Sequence, residues 1–359
     1  MEYFILLSIP IILMPLYGNP KYKHVYKLVI AFYFVALILF SGLRWQAGTD
    51  WDPYLEYFTT LDNYQFFEIG YVALNHFVKL FTDSYTLFLL LDSALAIIPV
   101  WIVLKKENQC NPLSLAIFVP YYYTINYLGS NRRIIAIGLC MLALIPLKNK
   151  KFITFLILCA GAFCFHRSSL VFLLAWPIFH GKYNKKHYAC LCLIAGAFLV
   201  WNPFLHLQNI MPSNSAAVIV QKLLIYSSNE AKNPNVNYAL QDALSVAKRI
   251  AFLLLMLLGI SRLSGEGRRK YIGYINLYLF SLFLYVVFTG TVEVFKSITV
   301  YFSVVEIFLI PIAISSINKH IRPIVYAVLI FYLMSQEYSA LLSYWDLFVP
   351  YRSIFSGGI

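Results

Sequence analysis

Three short stretches of this chain bring together residue types that do chemistry. Asn131-Arg132-Arg133 stands in a tight turn at the start of the apolar run Ile134–Leu147. A helix beginning there offers unpaired backbone N–H groups and the positive end of its dipole. Two guanidinium groups at that point make an anion site, because arginine's planar fork matches phosphate oxygens. The competing role is a pair of anchors for one span. Phe165-His166-Arg167-Ser168-Ser169 sets a histidine beside a third arginine. An imidazole can take a proton from an attacking hydroxyl near neutral pH; the competing role is a structural hydrogen bond. The stretch Gly42 to Tyr54, GLRWQAGTDWDPY, joins Arg44 to Asp50 and Asp52 through glycines. Asp50 is placed to orient Arg44, accept a ligand hydroxyl or act as the base. Asp52, and less so Asp50, also suits an Asx-turn or the N-cap of a helix entering at Pro53. Trp45, Trp51, Tyr54 and Tyr57 can stack on sugar rings or lie at a lipid interface, which suits most of them better.

The elements that must position these groups are apolar helices. The chain has 359 residues, 60% hydrophobic and 12% charged, about half the charged fraction of a soluble domain. Its apolar residues form long continuous runs, which cross a bilayer as helices and lack the alternation of a β-barrel. An aromatic content of 18% suits interfacial belts. The runs predict an all-α, polytopic membrane protein of about twelve spans. They fall near 3–18, 25–43, 84–104, 113–129, 132–147, 152–165, 167–180, 188–206, 243–262, 271–289, 297–314 and 323–342. The pair at 152–180 is short for two full crossings and suits half-helices or spans that meet a water-filled cavity. Residues 68–82 are amphipathic and too short to cross, so they read as interfacial or re-entrant. The first run has neither the basic lead nor the small-residue exit of a cleavable signal peptide and reads as the first span. Residues 1–359 thus form one membrane domain with no appended soluble domain. Its long loops are 44–83 and 207–242, the latter holding a possible interfacial helix, AAVIVQKLLIY.

The net charge of +12 is an orientation signal rather than a nucleic-acid surface. Lys21, Lys23, Lys27, Lys105, Lys106, Lys148, Lys150, Lys151, Lys182, Lys185, Lys186, Arg262, Arg268, Arg269, Lys270, Lys319 and Arg322 occupy every second connection. The positive-inside rule places these connections in the cytoplasm and both termini outside. Several remaining cations break the trend at outer span ends: Arg44, Arg132, Arg133, Arg167, Lys248, Arg249, Lys296 and Arg352. A single one is ordinarily a snorkelling anchor. Together on one face they predict a cationic cavity for a phosphate-bearing ligand. Glu293 and Lys296 are spaced to pair at i,i+3 or to join that site with Tyr301. Asp92 and Glu306 fall inside spans and read as structural or of unknown role. Cys110, Cys140, Cys159, Cys164, Cys190 and Cys192 imply no disulfide framework, and their spacing with histidine is not that of a metal site.

GLRWQAGTDWDPY, then EIGY (beginning at Glu68) followed by Asn75, then Asn131-Arg132-Arg133-Ile-Ile-Ala-Ile-Gly, then FHRSS and the late VPYRSIF with Arg352, together resemble the EpsG family. That family is a branch of the Wzy-type polymerases for O-antigen, capsule and exopolysaccharide. The resemblance covers most of the chain. The family's arginine–glutamine pair is Arg132-Arg133 here, leaving open which arginine is essential. A later family arginine is Lys296, which keeps charge but loses the bidentate fork. The resemblance implies a GT-C-like membrane fold in the bacterial inner (cytoplasmic) membrane with the site facing outward. It implies transfer of a growing glycan from undecaprenyl diphosphate onto a repeat unit carried by the same lipid, and a protein partner that sets chain length. No nucleotide sugar or cofactor is needed, and the external acidic residues leave room for a divalent ion. On this reading Arg44, Arg132, Arg133, Arg167 and Lys296 bind diphosphate, which stabilises the leaving group. His166 is the first choice of base and Asp50 the second, while Asn131, Tyr54, Glu68, Tyr301 and Arg352 contact glycan or acceptor. The competing functions are an O-antigen ligase-type transferase, a lipid-linked oligosaccharide flippase and a membrane acyltransferase. A flippase would carry charge through a central cavity between paired halves, and an acyltransferase would place its polar groups near a cytoplasmic entry. The sequence shows neither.

Overall fold

The computed structural model describes residues 2–61, 67–201, 238–289 and 293–356. Among them every regular element is helical, and the one β-bridge joins Arg44 to Ser353. The chain forms two compact units, residues 1–173 with 310–359, and residues 174–309.

In the first unit, α1 is Glu2–Leu13, α2 Lys23–Gly42, α3 Trp51–Thr60, α4 Ile69–Lys79, α5 Tyr85–Asn108, α6 Pro112–Phe118, α7 Asn131–Lys148 and α8 Phe152–Phe165. Helices α2, α5, α7 and α8 pack each against the next, and α4 lies on α8. Their boundaries follow local rules. Ser84 caps α5 by accepting from the Leu87 N–H at 3.4 Å, and Asn111 caps α6 by accepting from Leu113 at 3.0 Å, with Pro112 at the first position. The second unit holds α9 (Ala175–His180), α10 (Lys185–Val200), α11 (Tyr238–Gly259), α12 (Gly265–Val287), α13 (Glu293–Ser297) and α14 (Val300–Ser303). The chain returns through α15 (Glu306–Ser315) to α16 (Arg322–Ser343) and α17 (Trp345–Phe348) in the first unit.

The expected spans near 25–43, 84–104, 243–262, 271–289 and 323–342 are the five described helices long and apolar enough to cross a membrane. A sixth would be the pair Phe295–Ser303 and Glu306–Ser315, bent by 47°. This is a helical membrane protein. Several expected spans take other forms. The run 113–129 starts as α6 and widens into a π-helix, Val119–Tyr127. The run 167–180 is a 3-10 helix, Arg167–Leu174, followed by the short α9. The run 297–314 is broken into separate helical pieces. The run 132–147 is one helix, α7, whose 18 residues include Arg132, Arg133 and Lys148 at its ends. The amphipathic 68–82 stretch is the helix α4. The end of the 188–206 run and most of the 207–242 loop, with AAVIVQKLLIY, lie outside the described residues, as does part of the 44–83 loop.

The first unit sorts its polar groups by end. At one end Tyr17 donates to the Asn108 carbonyl at 2.9 Å, Tyr26 to the Cys110 carbonyl, and Lys148 pairs with Glu107. That end carries Lys105, Lys106, Lys150 and Lys151. The other end gathers the C-terminus of α2, the N-termini of α5 and α7 and the C-terminus of α8.

Candidate functional site

Three helices at this second end begin with a polar residue at the N-cap position: Asp50 before α3 and Ser130 before α7, both ordinary capping types, and Glu68 before α4, whose charge suits the helix dipole. None makes the side-chain cap bond to its own helix. Ser130 Oγ instead meets the Tyr54 hydroxyl at 3.0 Å. Glu68 Oε2 accepts from Arg132 Nη1 at 2.5 Å, and its Oε1 accepts from the Arg167 backbone N–H at 3.2 Å. Asp50 faces Arg133, Arg132 and Ser130. It is Asp50 and not Asp52 that stands at the start of the helix, so Pro53 is already inside the first turn.

The loop before α3 is fixed by close backbone contact. Gly48 has φ +119°, and a Cβ on it would lie 2.2 Å from the Leu128 carbonyl oxygen. Thr49 Oγ1 donates to the Gly129 carbonyl at 3.2 Å. The loop therefore lies directly on the turn that launches α7. Its other side is held by the C-terminal segment: the Trp45 N–H donates to the Arg352 carbonyl at 2.9 Å, and Ile354 donates to Leu43 at 3.1 Å. Tyr351 stacks on Phe40 with centroids 4.0 Å apart. An open cavity of about 290 Å³ runs along the loop, lined by Gln46, Gly48, Thr49, Trp51, Asp52, Pro53 and Leu347.

The two adjacent arginines differ. Arg132 is enclosed: besides Glu68 it donates from Nε to the Tyr54 hydroxyl at 3.2 Å and lies 4.7 Å from the Phe67 ring centroid. Arg133 makes no side-chain hydrogen bond or ion pair among the described residues, and its Nε is buried without a partner. Arg44 is 2% exposed. Its guanidinium donates to Ser41 and, at 2.6 Å, to Asn131 Oδ1, and it stands 6.0 Å from the Trp51 ring. Asn131 in turn reaches the Tyr85 hydroxyl at 3.4 Å. His166 follows α8, with Nδ1 2.7 Å from Ser168 Oγ. Arg167 and Arg352 have exposed side chains.

The electrostatics follow from these contacts. Burial raises Asp50 above the ordinary carboxyl range, and Arg133 and Arg132 oppose this without cancelling it. Burial pushes Glu68 up as well, but Arg132, His166 and the Arg167 N–H outweigh it and hold the carboxyl below its usual range. Burial raises Tyr54, against the pull of Arg132.

The structure thus brings together Arg44, Asn131, Arg132, Arg133, Asp50, Tyr54, Glu68, His166 and the Arg167 backbone. Lys296 and Tyr301 belong to the second unit. There Lys296 donates to Asp242 Oδ1 at 2.9 Å, and Tyr285 donates to the same oxygen at 3.0 Å. The Arg249 guanidinium lies 3.8 Å from the Tyr285 ring, and Lys248 stands 3.7 Å from Glu306. Tyr301 is fully buried. Asp242 is thus a partner of Lys296, and the side chain of Glu293, its expected i,i+3 partner, lies outside the described residues. The aromatic residues of the 44–60 stretch are also corrected. Trp51, Tyr54, Tyr57 and Phe58 face neither lipid nor solvent but pack with Tyr71, Tyr85 and Phe88 into one aromatic core.

Sequence reasoning missed Ser130, Asp242 and Glu337. Asp242, Ser245 and Arg249 sit at i, i+3 and i+7, a legible one-face signal. Glu337, fully buried and accepting from Thr124 at 2.8 Å, is a carboxylate within an apolar run. Among the described residues no three His, Cys, Asp or Glu side chains cluster as metal ligands.

The EpsG family model matches residues 3–353. No curated protein and no solved structure matches the chain.

Proposed function

The chain belongs to the EpsG family, and from that premise we propose that it is a polysaccharide polymerase using a glycan on undecaprenyl diphosphate as donor. The acceptor is a repeat unit on the same lipid. Its hydroxyl oxygen attacks the anomeric carbon, a glycosidic C–O bond forms, and the anomeric C–O bond to the diphosphate breaks. The lipid diphosphate leaves with the electron pair, and the hydroxyl proton passes to a base. Such a leaving group needs charge stabilisation more than a proton.

The observation that carries the reading is Arg133. It is a half-buried guanidinium at a helix N-terminus, uncommitted among the described residues and facing Asp50. A diphosphate is the ligand such a group fits best. Arg44 and Arg132 have internal partners, so they support the site from behind, while exposed Arg167 can reach a second phosphate. Two groups of the site can serve as the base, His166 and Asp50, and burial makes Asp50 a stronger base than an ordinary aspartate. The open cavity beside Thr49 and Asp52 suits sugar hydroxyls. The proposal includes the remaining expectations: about twelve spans in a GT-C-like arrangement, a bacterial cytoplasmic membrane with the site facing outward, and a chain-length-setting partner.

The test is reconstitution. Purified protein in liposomes should lengthen undecaprenyl-diphosphate-linked repeat units into a ladder without added nucleotide sugar. Transbilayer movement of the lipid with no ladder would instead make the protein a flippase.

A further inference from the structure

Glu68 stands at the start of α4, where the free N–H groups and the helix dipole favour a negative charge. Its carboxylate reaches away from α4 instead. One oxygen holds Arg132 of α7 at 2.5 Å, and the other holds the backbone N–H of Arg167, directly after His166, at 3.2 Å. These partners lie 64 and 99 residues away in sequence. The residue is 8% exposed, and the Arg132 side chain 19%. The charged or titratable groups facing it are Arg132 and His166.

The backbone explains how one carboxylate reaches both. Gly70, in the first turn of α4, lies so close to the end of α8 that a Cβ on it would be 2.8 Å from the Cys164 carbonyl oxygen. The α4 start is thereby seated on the turn that carries His166. From there the side chain extends to α7. Arg132, once held by Glu68 and by Tyr54, fixes the first turn of α7, on which Arg133 stands.

We infer that Glu68 is a positioning residue: its two oxygens brace the start of α7, and so Arg133, against the His166 turn, without touching substrate. Both oxygens already accept within the protein and the residue is 8% exposed, which leaves little of the carboxylate open to a glycan hydroxyl. The inference rests on the polymerase reading for its kinetic arm only. A displacement of about 1 Å in such a constellation costs roughly 10²-fold in rate.

The test uses the full-length protein in lipid nanodiscs, as wild type, Glu68→Ala and Glu68→Gln. Amide hydrogen exchange is followed over residues 166–169, and kinetics are measured with an undecaprenyl-diphosphate-linked repeat unit. Glu68→Ala should expose the Arg167 amide to exchange and lower kcat roughly 10²-fold with KM nearly unchanged. Glu68→Gln keeps one oxygen as the acceptor for that amide and turns its NH2 toward Arg132, losing both the charge and the acceptor on that side. It should retain most of the protection and lose less kcat. An unchanged Arg167 amide in Glu68→Ala would show that the brace does not exist. A raised KM at unchanged kcat would make Glu68 a substrate contact and overturn the inference. If the wild type makes no polymer yet Glu68→Ala exposes the amide, the brace stands and the polymerase reading falls. Should Glu68→Ala fail to fold, the comparison of Glu68→Gln with wild type carries the same kinetic split.

Discussion

Arg132 and Arg133 are neighbours with the same side chain and opposite situations. Arg132 sits between Glu68, Tyr54 and Phe67, while Arg133 has an unpartnered, buried Nε. Removing one member of a mostly buried ion pair strands the other charge, at a cost of about 3–5 kcal/mol. Arg132→Ala should therefore lower thermal stability markedly. Arg133→Ala should leave the melting temperature near wild type while abolishing the proposed polymerisation. Matching stability losses in the two variants would contradict this division. The carboxyls add a pH dependence. Glu68 is held below its ordinary range of about 4.3. Its contribution to stability is therefore complete above that range and is lost as pH falls through its own lower value. Glu68→Gln should flatten this acid-side loss in a series of melting curves against pH. Asp50 is shifted the other way, because burial raises it. If Asp50 is the base, the acid limb of kcat/KM lies above the ordinary aspartate range of about 3.9 and survives in His166→Ala. Loss of that limb in His166→Ala assigns the base to His166.

At the level of elements, the site is made where three helix starts decline their own caps. Asp50 and Ser130 are types that ordinarily cap a helix and Glu68 carries the charge a helix start favours, yet each turns toward a different segment. Departure from a local rule at this cost is expected where a site is built. The arrangement depends on backbone approach, and Gly48 is the sharpest case. Its positive φ disfavours any L side chain, and a Cβ would collide with the Leu128 carbonyl. Gly48→Ala should push the 44–50 loop off the α7 turn, removing most activity while the aromatic core of Trp51, Tyr54 and Phe58 keeps α3 folded. Protease sensitivity confined to this loop would verify it; global unfolding would not fit.

At the level of the molecule, the first unit is polar at both helix ends for different reasons. One end collects the lysines of the alternate connections, with Lys148 on Glu107. The other collects the arginines that break the alternation, with Arg44 on Asn131 and Arg132 on Glu68. Placing the second end outside the membrane is part of the proposal, and thiol labelling checks it. In a background lacking the native cysteines, an impermeant maleimide added to intact cells should label Thr49→Cys. Lys150→Cys should react only after permeabilisation. The reverse pattern would invert the topology.

The sequence by itself determined the class and the sorting. Apolar run length and loop charge act through the bilayer on each segment separately, so they can be read one segment at a time. The same locality made GLRWQAGTDWDPY, NRR and FHRSS legible as the chemical stretches. The tertiary structure decided what each residue in them does. Whether Arg132 or Arg133 is committed depends on a carboxylate 64 residues away, and the fate of Tyr54 and Trp51 depends on Tyr71, Tyr85 and Phe88 across α4 and α5. A partner of Lys296 is Asp242, 54 residues earlier. Pair interactions of this kind depend on distances set by packing, and no pattern along a single strand of sequence encodes them.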